Sequence, residues 1–212
     1  MNTPTTPARR APDSYRHGNL RNAALDAAAA LVAERGGPDF SLREIAESLG
    51  VRHAALYRHF TSREALVSGL ATRAFETLQQ RFEAATIEAG GNVPALLAGL
   101  RAAYLAMARE EPGAYRVMFS NISLPDPARA AAAEGCFGRL VGAFARAQAE
   151  GLARGDVPAI RLAAVNWAAL HGMSMLLLDQ RLEDNGAAGG PAALLETLGT
   201  VLEQGWAAKP RP

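Results

Sequence analysis

The sequence predicts an all-α protein of about nine helices, with a three-helix N-terminal head joined by a long helix to a C-terminal helical body. Three observations carry that prediction. Alanine and leucine dominate, β-branched residues are sparse, and no run alternates apolar with polar for long, so strand signals are nearly absent. Glycine and proline punctuate the chain at Gly36-Gly37-Pro38, Gly90-Gly91-Asn92 and Gly155-Asp156-Val157-Pro158, and apolar residues recur at helical spacing between them. Hydrophobic residues make up 49% of the 212, ample for a packed core. No period of roughly 20–50 residues repeats, which argues against a solenoid.

Residues 1–14 are polar and proline-rich and are expected to be disordered, without the apolar centre of a signal peptide. Arg9, Arg10 and Arg16 fit an arm that follows a groove, and fit a solvated tail equally well. The first helix runs from Gly18 to about Arg35 on a stripe of Leu20, Ala24, Ala27, Ala28 and Leu31, and Gly36-Gly37-Pro38 ends it. Phe40 anchors the loop that follows.

Ser41 with Glu44 forms a capping box, so a helix starts near Leu42. Leu42, Ile45, Ala46 and Leu49 share one face, and Gly50 stops the helix in a left-handed conformation. Val51 then packs inward and a short helix covers about Arg52 to His59. Leu56 turns in, which leaves Arg52, His53, Ala54, Tyr57, Arg58 and His59 outside. Three rings and two guanidinium groups are an odd surface for a solvated helix and a suitable one for a helix in a major groove. The pattern is a helix-turn-helix.

Thr61 or Ser62 caps the long helix from Arg63 to about Glu88, with Thr61 and Glu64 as a second capping box. A helix from Val93 to about Arg109 follows, then a short one opened by Pro112, a loop from Asn121 to Pro127, and a small-residue-rich helix over 128–154. Asp156 as cap and Pro158 in the first turn open the next helix, which runs to about Arg181 and is apolar on nearly every side. Such a helix must be buried on more than one face, against its own core and a second subunit. Glu183 to Gly190 is a loop, and Pro191 to about Trp206 is the last helix.

Residues 42–66, LREIAESLGVRHAALYRHFTSREAL, resemble the DNA-binding signature of the TetR/AcrR family of bacterial transcriptional regulators, and Tyr15 to Arg21 resembles the first-helix entry of many members. Cap, turn glycine, recognition helix and following helix start all fall in register over about residues 15–70. Arg52 and Ala55 replace the Ser or Thr hydroxyls common on the recognition helix, and Arg63 replaces a common Lys. More weakly, Tyr115 to Phe119 and Trp167 to Gly172 resemble the body of a branch named for a Trp-His-Gly motif.

The resemblance implies a DNA-binding domain at 15–62, a ligand-binding and dimerisation domain at 63–206 and a disordered tail at 207–212. It further implies a cytoplasmic, ligand-responsive repressor that binds a palindromic operator in double-stranded DNA as a homodimer through its last two helices and is released by a small-molecule effector. Tyr57 and His59 are then phosphate contacts that set register, and Arg52, His53 and Ala54 are base readers. Arg58 fits a phosphate contact or surface charge, and Ser41, Arg43 and Arg63 complete the DNA-facing set. The effector pocket implied comprises Tyr104, Met107, Tyr115, Met118, Phe119, Phe137, Trp167, His171 and Met175, although Met and aromatic residues at this spacing also fit plain core. Gly172 reads as a point of close helix approach. A nonspecific architectural DNA-binding protein shares the same head and stays open.

Charge agrees in direction. Residues 1–63 hold 9 Arg against 6 acids, whereas the remainder holds 13 basic and 15 acidic residues. A basic head on a faintly acidic body suits nucleic acid at one end. Cys136 is the only cysteine, so no intramolecular disulfide or cysteine-rich metal site forms. The histidines, at 17, 53, 59 and 171, match no metal spacing, no glycine-rich phosphate loop or nucleophile elbow is present, and Glu110-Glu111 reads as helix-terminus charge. No catalytic residue, cofactor or metal is expected, and no stretch is expected to span a membrane.

Overall fold

A computed structural model describes residues 17–182 and 190–208. The expected arm with Arg9, Arg10 and Arg16, the loop residues 183–189 and the tail residues 209–212 lie outside the described residues. The described residues form nine helices: α1 (His17–Arg35), α2 (Leu42–Ser48), α3 (His53–Tyr57), α4 (Arg63–Ala89), α5 (Val93–Glu110), α6 (Pro112–Met118), α7 (Pro127–Ala149), α8 (Ala159–Leu178) and α9 (Gly190–Trp206). The all-α prediction is met, and the described residues contain no strand beyond an isolated bridge between Ala153 and Ala207.

Local chemistry sets most boundaries where the sequence places them. The Ser41 hydroxyl accepts from Glu44 N at 3.2 Å and the Glu44 carboxylate accepts from Ser41 N at 2.8 Å, which completes the capping box. Gly50 takes φ +65°, the left-handed value that lets the chain turn into α3. Four expectations are corrected. Of the two caps expected for α4, Ser62 serves by accepting from Ala65 N at 3.1 Å, so the Thr61–Glu64 box is not formed and Glu64 pairs with Arg63. α7 ends at Ala149 instead of 154, because Leu152 N and Ala153 N fold back onto Ala147 O around Gly151 at φ +71°. Asp156 does not cap α8 but accepts from Arg154 at 2.7 Å, and Pro158 holds the cap position with no side-chain bond. Ala207 and Ala208, expected in a disordered tail, are tied to the 152–154 turn: Arg154 N donates to Trp206 O and Ala208 N to Leu152 O.

α4 is the axis of the molecule. It packs on α5 and α7 along the body and on α1 and α6 towards the head, so one continuous core runs from Leu25 and Ile45 through Leu66, Leu70 and Leu78 to Leu100 and Phe144. α6 lies between the two parts, against both α1 and α4. α8 presents Ala163, Asn166, Leu170 and Ser174 to the body. By length and composition α8 could cross a membrane, contrary to expectation, yet its polar-bearing inner face packs on α5 and α7. Its outer face is left uncovered by the described residues, with Ile160 56% and Val165 65% exposed. The close approach expected at Gly172 is not made among the described residues, since none of them lies within 4 Å of where its Cβ would stand.

A candidate DNA-reading head and a cavity in the body

The short α3 is held by one buried side chain. Leu56 is fully covered in the head core beside Ile45 and Phe60, which turns Arg52, His53, Ala54, Tyr57 and Arg58 to solvent and leaves His59 half-buried. The His53 and Tyr57 rings meet edge-on with centroids 4.5 Å apart, which fixes their common direction. Arg52 and Arg58 pair with no carboxylate among the described residues. Arg43 is tied to Glu47 at 2.7 Å, and Arg63 holds Glu64 and the Pro38 carbonyl. Ser41, Arg43, His53, Tyr57, Ser62 and Arg63 line one shallow cleft onto which the first turns of α2 and α4 open. Free backbone N–H groups at helix starts, a phenol and basic side chains around one cleft suit a phosphate. The Ser41 hydroxyl is already occupied as a cap. The Arg35 guanidinium beside Glu44 holds that carboxyl below the usual range.

The body holds a cavity of about 450 Å³. α4 supplies Phe75, Leu78 and Phe82, α5 supplies Leu100, Arg101 and Tyr104, and the end of α6 supplies Met118 with Phe119 beyond it. α7 adds Arg129, Ala130, Ala133, Glu134, Cys136, Phe137 and Leu140, and α8 adds Asn166, Trp167 and Leu170. Of the residues expected around a pocket, Tyr104, Met118, Phe119, Phe137 and Trp167 are brought together on this wall. Met107 is fully buried in the core, Tyr115 is buried behind Tyr104, and Met175 packs on the core from outside the wall. The sequence reading missed Arg101, Arg129, Cys136 and Asn166. Asn166 had a signal, as an amide within an otherwise apolar helical run.

Behind the wall a hydrogen-bonded cluster fixes Tyr104. The indole Nε1 of Trp167 donates to Tyr104 Oη at 3.1 Å and Tyr115 Oη donates to it at 3.0 Å. His171 Nδ1 lies 3.1 Å from Tyr104 Oη and 2.9 Å from Tyr115 Oη. Burial pushes both phenols up and the His171 imidazole down, so the cluster is uncharged at neutral pH. Cys136 donates to Phe75 O at 3.4 Å, and burial pushes its thiol to about 12, which keeps it protonated and unreactive.

One contact joins the cavity to the head, and two more tie the elements around it to α4. α6 carries Met118 at the wall, and Gly113 at its other end lies against the α1 backbone. Arg81 of α4 donates to Glu110 and Glu111 at 2.7 Å each, locking the α5–α6 junction to α4. Near the start of α4, Ser68 donates to Asp126 at 2.7 Å and accepts from Arg129 at 3.2 Å, and the Ser68 hydroxyl holds the Asp126 carboxyl below its usual range.

Residues 24–70 match the family described as bacterial regulatory proteins, tetR family, and residues 96–202 match the tetracyclin repressor-like C-terminal domain. Among solved structures, a protein of unknown function from Rhodococcus sp. RHA1 is similar at TM-score 0.77 and 29% identity, covering 92% of this chain and 99% of that one. A tetR family transcription regulator from Shewanella sp. PV-4 is similar at TM-score 0.69 and 19% identity over 90% and 99%. The regulator PfmR from Thermus thermophilus is similar at TM-score 0.68 and 21% identity over 89% and 99%. No curated protein matches.

Proposed function

The chain belongs to the tetR family of bacterial regulatory proteins, DNA-binding transcription regulators rather than enzymes, and we propose that it is a cytoplasmic repressor released by a small molecule. Residues 15–62 read DNA, and residues 63–206 bind the effector and dimerise. In a homodimer paired through α8 and α9, two copies of α3 stand about 34 Å apart, one turn of DNA, over a palindromic operator. Tyr57 and His59 hold phosphates, Arg52, His53 and Ala54 face base edges, and Ser41, Arg43, Arg58 and Arg63 flank the backbone. The uncovered apolar face of α8 supports the dimer, because Ile160, Val165 and Leu176 are costly to leave in water.

The observation that carries the effector response is the double contact of α6, which borders the cavity through Met118 and packs on α1 of the head. A molecule that fills the cavity displaces α6 and with it the angle of the head. A differential affinity of about 5.5 kcal/mol between the two head arrangements shifts the population from 1:99 to 99:1. Tyr104, Met118, Phe119, Phe137 and Trp167 touch the effector, and Tyr115 and His171 hold Tyr104 in place. The test is a footprint on the DNA upstream of the protein's own gene, with and without a metabolite extract. A protected palindrome that extract abolishes is expected. Uniform protection of random duplex would point to an architectural protein, and a footprint indifferent to any extract would remove the effector.

A further inference from the structure

Asn166 sits on the inner face of α8, lines the cavity and is only 7% exposed. Its carboxamide has no hydrogen-bond partner among the described residues. The amide is not sealed in protein either, because the one fully enclosed polar side-chain atom without a partner among the described residues is Ser174 Oγ. Its donor and acceptor therefore meet the cavity space. A buried amide without partners costs stability, so its presence on an apolar wall calls for a group that completes it.

The other polar groups on this wall, Glu134 apart, are committed. Trp167 Nε1 donates to Tyr104 Oη, Cys136 Sγ donates to Phe75 O, and Arg101 pairs with Glu203 at 2.7 Å. Arg129 donates to Ser68 Oγ and to the Ile122 and Leu124 carbonyls, and Glu134 is exposed to solvent. An anionic ligand would thus find no unpaired cation within the cavity, and the unpaired carboxylate among its lining residues, that of Glu134, stands in solvent. The remaining surface is dominated by the rings of Phe75, Phe82, Tyr104, Phe119, Phe137 and Trp167.

We infer that Asn166 is the polar handle of the cavity, and that it selects a neutral, flat, apolar molecule bearing a carboxamide-like group, with a donor and an acceptor side by side. Such a group pairs with both Oδ1 and Nδ2 of Asn166 while its ring system lies among the aromatic side chains. The inference rests on the cavity being the effector pocket, and it adds the chemistry of the effector.

Equilibrium dialysis of the full chain against naphthalene, 2-naphthamide and 2-naphthoate separates the two readings. The protein is expected to hold 2-naphthamide about tenfold tighter than naphthalene, in line with one buried hydrogen-bonded group. Asn166→Leu is expected to bring that ratio to one or below while naphthalene is held as well or better, and to melt no lower than the parent without ligand. Asn166→Ala removes the amide without adding bulk and gives the same loss of ratio. Equal binding of naphthalene and 2-naphthamide by the parent, or a preference that survives both substitutions, overturns the handle and leaves the pocket standing. Tightest binding of 2-naphthoate overturns the neutral class. A lower melting temperature in both variants marks the amide as structural and overturns its role. Binding of none of the three overturns the pocket itself.

Discussion

Gly113 and Ala29 are in backbone contact: a Cβ on Gly113 would collide with the Ala29 carbonyl oxygen and stand 3.0 Å from Ala33 N. No flexible side chain stands between them, so α6 seats on α1 only because residue 113 is glycine. Gly113→Ala must push the two helices apart, and overpacking of this kind costs about 1–3 kcal/mol or more. A lowered melting temperature is expected, together with a loss of operator affinity larger than the unfolded fraction explains. Thermal melts paired with gel-shift titrations measure both, and unchanged operator affinity would disconnect α6 from the head.

Tyr57→Ala is expected to weaken binding to every duplex by a similar factor, since a phosphate contact carries no sequence information. Arg52→Ala is expected to cost about 1–3 kcal/mol on the operator and much less on random DNA, as for a lost base contact. Competition titrations with both duplexes check the division. Equal, sequence-independent losses from the two substitutions would erase it.

Val165→Asp places a charge on the uncovered face of α8, where the native side chain is 65% exposed in the single chain. The fold of one chain should hardly change, because surface substitutions typically cost within about 0.5 kcal/mol. The dimer should dissociate and operator binding should fall with it. Sedimentation equilibrium reads the mass, and an intact dimer would move the interface elsewhere.

Burial lowers the pKa of His171 from its ordinary value near 6.5. The unfolded chain therefore binds more protons below pH about 6.5, so folding stability is complete above that value and declines as pH falls towards the lowered folded one. Protonation also removes the acceptor at Nδ1 that lies 2.9 Å from Tyr115 Oη. Urea denaturation of the parent and His171→Gln between about pH 5 and 8 should show a shallower acid loss in the variant. Parallel curves would show that His171 does not titrate in this range.

The head was legible because its signals are local. A serine and a glutamate three residues apart cap α2, Gly50 turns the chain, and the outward set from Arg52 to Arg58 follows from helical geometry once Leu56 turns in. Boundaries failed where a partner outside the helix displaced the expected one. Arg154 takes the Asp156 carboxylate away from the start of α8, and the 152–154 turn captures Ala208 from across the chain. The cavity wall was half legible for the same reason, since large side chains announce themselves but their facing does not. Met107 and Tyr104 occupy one stripe of α5, yet only Tyr104 reaches the cavity.

By itself the sequence determined that this chain is helical, that it carries a helix-turn-helix, and which side chains of α3 face outward. Helical periodicity and capping act within a few residues, so no other part of the chain is needed to express them. The tertiary structure alone decided which aromatic residues enclose a cavity, that Asn166 opens onto it without a partner among the described residues, and that Gly113 lies on Ala29. Those relations join residues of separate helices, and only the packing of α4, α5, α7 and α8, and of α6 on α1, brings them within reach.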